Sequence, residues 1–205
     1  MVLHGISQAS ANGFRTWIQR KNLIGKGLFF FAIGSAFSYA LFRWSGFVPE
    51  KRIVYFTLGI VPPLGIFLAR FSIFSFLSPW GALVCGLIVT WIQLTAGAAG
   101  ALLDIFFLSP TLGRKQVVAT KAFVQTITHL MKIYHYGFFS TAAAQTQVTW
   151  TAVGGILFAS FGGTWLGSVL LERLNDVGFR RLTRIAVLCI SGFYLYLAAT
   201  LKSAV

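Results

Sequence analysis

Polar positions recur along residues 115–136 with the period of an α-helix. Lys121, Gln125, His129 and Lys132 are spaced by 4, 4 and 3, which confines them to an arc of roughly 80° at about 100° per residue. Phe123, Ile127, Leu130 and Tyr134 fall on the opposite side. The pattern predicts an apolar helix carrying one cationic stripe. Intramembrane Lys and His avoid lipid, so the stripe is expected to face protein or a wet cavity. The same spacing occurs at the start of the chain, in His4, Gln8, Asn12 and Arg15, and predicts a second stripe helix over residues 1–19.

Between and after these stripes the pattern is continuous and apolar. Spans are predicted over 27–42, 52–69, 80–94, 148–171 and 185–201. Pro49 is expected in the first turn of the second span, and Pro62 and Pro63 are expected to kink it and free carbonyls. The third span stops at Thr95-Ala-Gly-Ala-Ala-Gly100. Small residues in a row break a helix or admit another backbone. The apolar piece after it, 101–108, rises only about 12 Å, too little for a hydrocarbon layer of about 30 Å. Residues 80–109 therefore read as a broken or re-entrant hairpin. Residues 70–79 read as a connector and 137–147 as an uncharged loop. Gly155, Ala159, Gly163 and Gly167 lie four apart, a ladder of small residues read as a helix-packing feature.

An offset of 117 residues superposes the two stripes. A second offset, 129, brings Gly163 onto Gly34 and Arg180-Arg181 onto Lys51-Arg52. The expected organisation is thus two related units. Residues 1–70 form a partial first repeat, a stripe helix with two transmembrane helices. Residues 80–202 form a second repeat with the broken hairpin, a stripe helix and two transmembrane helices. Repeats around a shared site are a common build of secondary transporters.

Composition moves this from pattern to class. The 205 residues are 57% hydrophobic and 10% charged, with mean hydropathy +0.77. The fold class expected is an all-α integral membrane protein, a polytopic helix bundle. The net charge of +13 is not read as nucleic-acid binding, because the basic residues sit mostly in short loops between apolar spans. They serve instead as the topology signal. The clusters at 20–26, 70, 114–115 and 173–184 outweigh Arg43, Lys51, Arg52 and Lys202. The heavier side is expected in the cytoplasm, provided that residues 80–109 enter and leave on one side. This sends the two stripe helices in opposite directions, as inverted repeats require. Cys85 and Cys189 lie within apolar spans and read as small buried hydrophobes. No Cys/His spacing suits a metal, so neither metal nor cofactor is expected.

The motifs together resemble the TauE/SafE sulfite exporter family of prokaryotic membrane permeases. His4-Gly-Ile-Ser-Gln8-Ala-Ser-Ala-Asn12-Gly-Phe-Arg15 is similar to that family's His-Gly-x-x-Gln-x-x-x-Asn-x-x-Arg segment. Residues 119–132, with Lys121, Gln125, His129 and Lys132, are similar to its second stripe. Residues 96–100 stand where the family has a Gly-rich hairpin, and Gly163, Gly167, Arg180 and Arg181 resemble its closing pair of helices. The resemblance covers essentially the whole chain, except that the hairpin preceding the first stripe is missing, so the first repeat reads as truncated or as starting late. It implies transport of small sulfur-containing anions such as sulfite or organosulfonates.

On this reading the substrate-binding residues are Lys121, Lys132 and Arg15 for charge and Gln8, Gln125 and Asn12 for hydrogen bonds. His4 or His129 is the candidate carrier of a coupling proton. Asp104 is expected either as an ion-pair partner of Lys121 or as a proton carrier. The expected partners are the lipid bilayer, a small anionic substrate and protons, and a homo-oligomer is compatible with the pattern. The alternative is a non-transporting membrane subunit or an inactive truncated permease. No nucleophile sits with a base, so an enzyme is not expected.

Overall fold

The computed structural model describes residues 1–68, 75–97, 99–107, 112–139, 149–173 and 176–201. The described residues are helical with connecting turns and contain no strand. In chain order the helices are α1 (Val2–Ile18), α2 (Gly25–Trp44), α3 (Lys51–Leu68), α4 (Pro79–Ala96), α5 (Gly100–Phe106), α6 (Arg114–Tyr134), α7 (Trp150–Arg173) and α8 (Asp176–Thr200). A 3-10 turn, Arg20–Asn22, follows α1, and a π-turn, His135–Phe139, continues α6. Among the described residues α2, α3 and α4 are long and apolar enough to cross a membrane.

Two compact units emerge from the packing. The first comprises Met1–Gly25 and Gly113–Leu174, the second Lys26–Leu112 and Asn175–Val205. Each draws on both halves of the sequence, so packing groups the helices differently from the expected repeats. A packing unit and a sequence repeat are distinct divisions, and one does not decide the other.

In the second unit α2 and α4 run parallel. Gly34 of α2 faces the Leu83 carbonyl, and Gly86 of α4 faces the Phe31 carbonyl, each so close that a Cβ would meet backbone. Ser38 donates to the Leu87 carbonyl at 2.9 Å. Further along, Phe42 and Trp91 meet edge to face at 5.2 Å. Absent side chains thus let two backbones touch, the usual device of helix pairs that gain no hydrophobic drive from lipid. α3 and α8 are antiparallel, the start of α3 lying beside the end of α8, where Arg52 and Ile53 line one hollow with Ala198 and Ala199. Tyr55 also meets Tyr194 at 5.8 Å, and Gly59 lies under Leu195. α3 stays helical through Pro62 and Pro63. Its first helical residue is Lys51, so Pro49 precedes the helix by two residues instead of opening its first turn.

The hairpin expected at 80–109 has a clear framework in the described residues. Ser78 caps α4 by accepting from the Gly81 amide at 3.0 Å, with Pro79 at the first helical position. Gly97 ends α4 with φ 78°, a left-handed conformation that suits glycine. The buried Gln93 side-chain amide donates its Nε2–H to the Gly97 carbonyl at 2.9 Å and so satisfies the broken backbone. After α5, at seven residues, the chain comes back to where α4 began. The Phe76 amide donates to the Phe106 carbonyl at 2.8 Å, and the Phe76 and Phe107 rings stack at 4.6 Å. Gly65 of α3 fits against the Ala101 backbone of the returning arm.

Two expectations on the last helices change. The ladder Gly155, Ala159, Gly163 and Gly167 lies on an exposed face of α7, and a Cβ at any of its glycines would meet nothing within 4 Å. It packs against none of the described residues. The basic residues 180, 181 and 184 lie inside α8, which begins nine residues before the expected span. Residues 69–74 and 140–148, which include half of the connector and most of the uncharged loop, lie outside the described residues.

Candidate functional site

The site is built within the first unit by α1 and α6, which run antiparallel. Near one end, a Cβ on Gly5 would stand 2.7 Å from Ile133 Cγ1, and near the other a Cβ on Gly13 would stand 3.7 Å from Thr126 Cγ2. Past the end of α1 the Ile24 amide donates to Thr120 Oγ1 at 3.1 Å. Gly5, buried Ala9 and Gly13 follow an i, i+4, i+8 line, so one strip of α1 is almost free of side chains and the two helices approach closely. A different face of α1 meets α7, through the Ser7 and Ser160 hydroxyls at 3.1 Å and the Phe14 and Phe161 rings at 5.2 Å.

The two polar stripes flank this close contact on the same side. Because the helices are antiparallel, the first member of one stripe meets the last member of the other. His4 Nδ1 lies 2.9 Å from Lys132 Nζ. The His4 ring stands edge-on to that of His129, with centroids 5.7 Å apart. Lys132 is 0% exposed and His129 3%, whereas His4 is exposed. An ammonium group has three donors and no acceptor, so as a cation Lys132 donates to a His4 imidazole whose Nδ1 lone pair is free, its proton on Nε2. Among the described residues no carboxylate pairs with Lys132. A buried cation held by a neutral ring is poorly compensated.

The other members of the stripes occupy the helix faces that continue from this cluster. Asn12 is buried, and its side-chain amide donates to the Gln8 carbonyl at 2.9 Å, so it is held by its own helix. Gln8, Arg15, Lys121 and Gln125 are half-buried. The stripes are bordered by hydroxyls that turn back onto their own helices: Thr16 to the Asn12 carbonyl at 2.8 Å, Thr126 to that of Ala122 at 2.8 Å and Thr128 to that of Gln125 at 3.1 Å. Such bonds hide polar atoms where water is scarce. Leu130 and Tyr134, on the predicted far side, are exposed. Asp104 is an exposed residue of α5, in the second unit.

The structure therefore brings His4, His129 and Lys132 together by direct contact and sets the remaining stripe residues along the same two helices. Sequence reasoning aligned His4 with Lys121 as repeat equivalents and did not foresee the His4–Lys132 contact. The signal was present in the opposed helix directions, which reverse the order in which the stripes meet. The α6 helix itself begins with Gln116 reaching back to the Gly113 amide at 3.0 Å, which is half of a capping box, since glycine has no side chain to supply the other half. It ends in the π-turn of residues 135–139, a form often found at functional positions.

No family model matches the chain, and neither a curated protein nor a solved structure matches it.

Proposed function

We propose that the chain is a multi-pass inner-membrane permease for small anions of the TauE/SafE type, moving sulfite, an organosulfonate or a related sulfur oxyanion by alternating access with proton coupling. The observation that carries this reading is Lys132. It is a buried ammonium whose partner among the described residues is an imidazole and not a carboxylate. A permanently bound acid would neutralise such a group, whereas an unpaired one attracts a mobile anion. His129 and Gln125 on α6 and His4, Gln8 and Asn12 on α1 supply hydrogen bonds, and Lys121 and Arg15 extend the positive potential along the helix pair. His4 and His129 are the groups able to exchange a proton in step with the anion. The three long apolar helices fit a membrane setting, and the returning chain at Phe76 and Phe106 fits a hairpin whose ends share one side.

The test is anion flux in proteoliposomes, with sulfite, sulfate, thiosulfate and organosulfonates offered in turn. Lys132→Gln should lower flux by about tenfold or more, the scale of about 1.5–3 kcal/mol attached to a charge-assisted hydrogen bond, with membrane insertion unchanged. Lys115→Gln is the control, because an exposed charge at the start of α6 is screened by salt over about 8–10 Å. Equal flux in Lys132→Gln and unaltered protein, at equal expression, would return the stripe to a helix-packing role.

A further inference from the structure

The second unit contains a groove that takes no part in the reading above. It has a volume of about 440 Å³ and is lined by Arg52, Ile53 and Phe56 of α3 and by Leu195, Ala198 and Ala199 of α8. Its shape follows from the sequence. The antiparallel pair places the first turn of α3 beside the last turns of α8, and the two alanines leave a hollow opposite Phe56. Its lining residues are apolar except for Arg52, in the first turn of α3. Phe56 and Ile53 are exposed large side chains, and Tyr55 and Tyr194 pair alongside.

That arrangement matches one kind of molecule. The apolar floor accepts an acyl chain. Arg52 sits where the helix emerges, at the depth at which Tyr and Arg usually meet lipid headgroups. A guanidinium presents two parallel donors to phosphate oxygens. Lys51 is exposed next to Arg52, and the acid beside them, Glu50, leaves the local balance positive. A neutral detergent-like ligand would use the floor and waste the guanidinium, and a soluble anion would do the reverse.

We propose that the α3–α8 groove is a binding site for an anionic phospholipid, with its phosphate on Arg52 and one acyl chain along Phe56, Leu195 and Ala198. The proposal shares only the membrane setting with the permease reading and is independent of what the α1–α6 site carries. Bound there, the lipid bridges α3 and α8.

The experiment is native mass spectrometry of the purified full chain, titrated with phosphatidylglycerol or phosphatidylcholine of matched acyl chains, together with thermal unfolding in detergent. Phosphatidylglycerol should be retained preferentially and raise the unfolding temperature. Arg52→Gln should lower that preference roughly fivefold, as expected for one basic residue at an anionic surface, and Ala199→Phe should fill the groove and reduce retention of both lipids. Lys51→Gln should leave the preference nearly intact. Equal retention of the two lipids would overturn the proposal, and so would an equal loss in Lys51→Gln and Arg52→Gln, which would mark diffuse attraction instead of a site. Flux through the α1–α6 site is measured separately, so a failed lipid preference and a failed permease reading are told apart.

Discussion

The α1–α6 pair and the α2–α4 pair both rest on glycine, but for opposite ends. In α2–α4 the glycines face carbonyls of the partner helix, and backbone meets backbone over a dry contact. In α1–α6 they face the side chains of Ile133 and Thr126, and the closeness brings His4 onto a buried lysine. The polar groups at the first contact are the hydroxyls of Ser35 and Ser38, both buried, and Ser38 donates to a carbonyl of α4. The second gathers ionisable groups into one place. Close packing is therefore a stabilising device in one unit and a means of positioning chemistry in the other. The two should respond differently to mutation.

The largest expected effect is on the dry contact. Gly86→Val pushes a branched side chain into the Phe31 carbonyl, and neither backbone has room to yield. Overpacking typically costs about 1–3 kcal/mol, and this site should reach the upper end. Thermal unfolding in detergent and the recovered folded fraction report it, and an unfolding temperature equal to that of the unaltered protein would show that the two helices do not touch there.

A smaller effect, and a more selective one, is expected at the polar contact. His4→Leu removes the acceptor from Lys132, at the lower end of about 1–3 kcal/mol, because His4 is exposed and water can reach the place it leaves. His4→Gln supplies a carbonyl oxygen in its place and should recover part of the stability. If Leu and Gln at position 4 unfold at the same temperature, the His4–Lys132 bond has no energetic role.

The smallest effect sharpens the contrast from the other side. Gly163 on α7 has no neighbour within 4 Å of a built Cβ, so Gly163→Ala should be neutral or stabilise by up to about 1 kcal/mol through helix propensity alone. Clear destabilisation in the monomeric, detergent-solubilised chain would mean that this face is packed after all.

How much of this was legible in the sequence depends on the range of the interaction concerned. The stripe helices, the break after Ala96 and the early end of the short arm follow from spacing, glycine conformation and length, all local quantities, and the described helices agree with them. Partners are a different matter. Phe31, Gly34 and Gly86 form one contact, but no short-range pattern says that α2 chooses α4 or that the pair is parallel. Gln93 reads as one polar residue in an apolar helix. Only the turn of the backbone at Gly97 shows that it secures a carbonyl. The α7 ladder shows the reverse failure: small residues at a four-residue spacing permit close approach without requiring it. At the site, the helical spacing of both stripes was legible, whereas the contact of His4 with Lys132 depended on the direction in which the two helices cross.

The closure at Phe76 and Phe106 has a consequence for how the chain is threaded during synthesis. An element that crosses the bilayer exchanges the compartment of everything after it, whereas one that returns to its starting edge does not. In the membrane setting proposed above, α4 and α5 together are of the second kind, and a seven-residue arm cannot be lodged without its longer partner. The two must be inserted as one piece. Excision of the whole segment would then leave the sidedness of α6 and of every later loop unchanged, while excision of α3 would invert it.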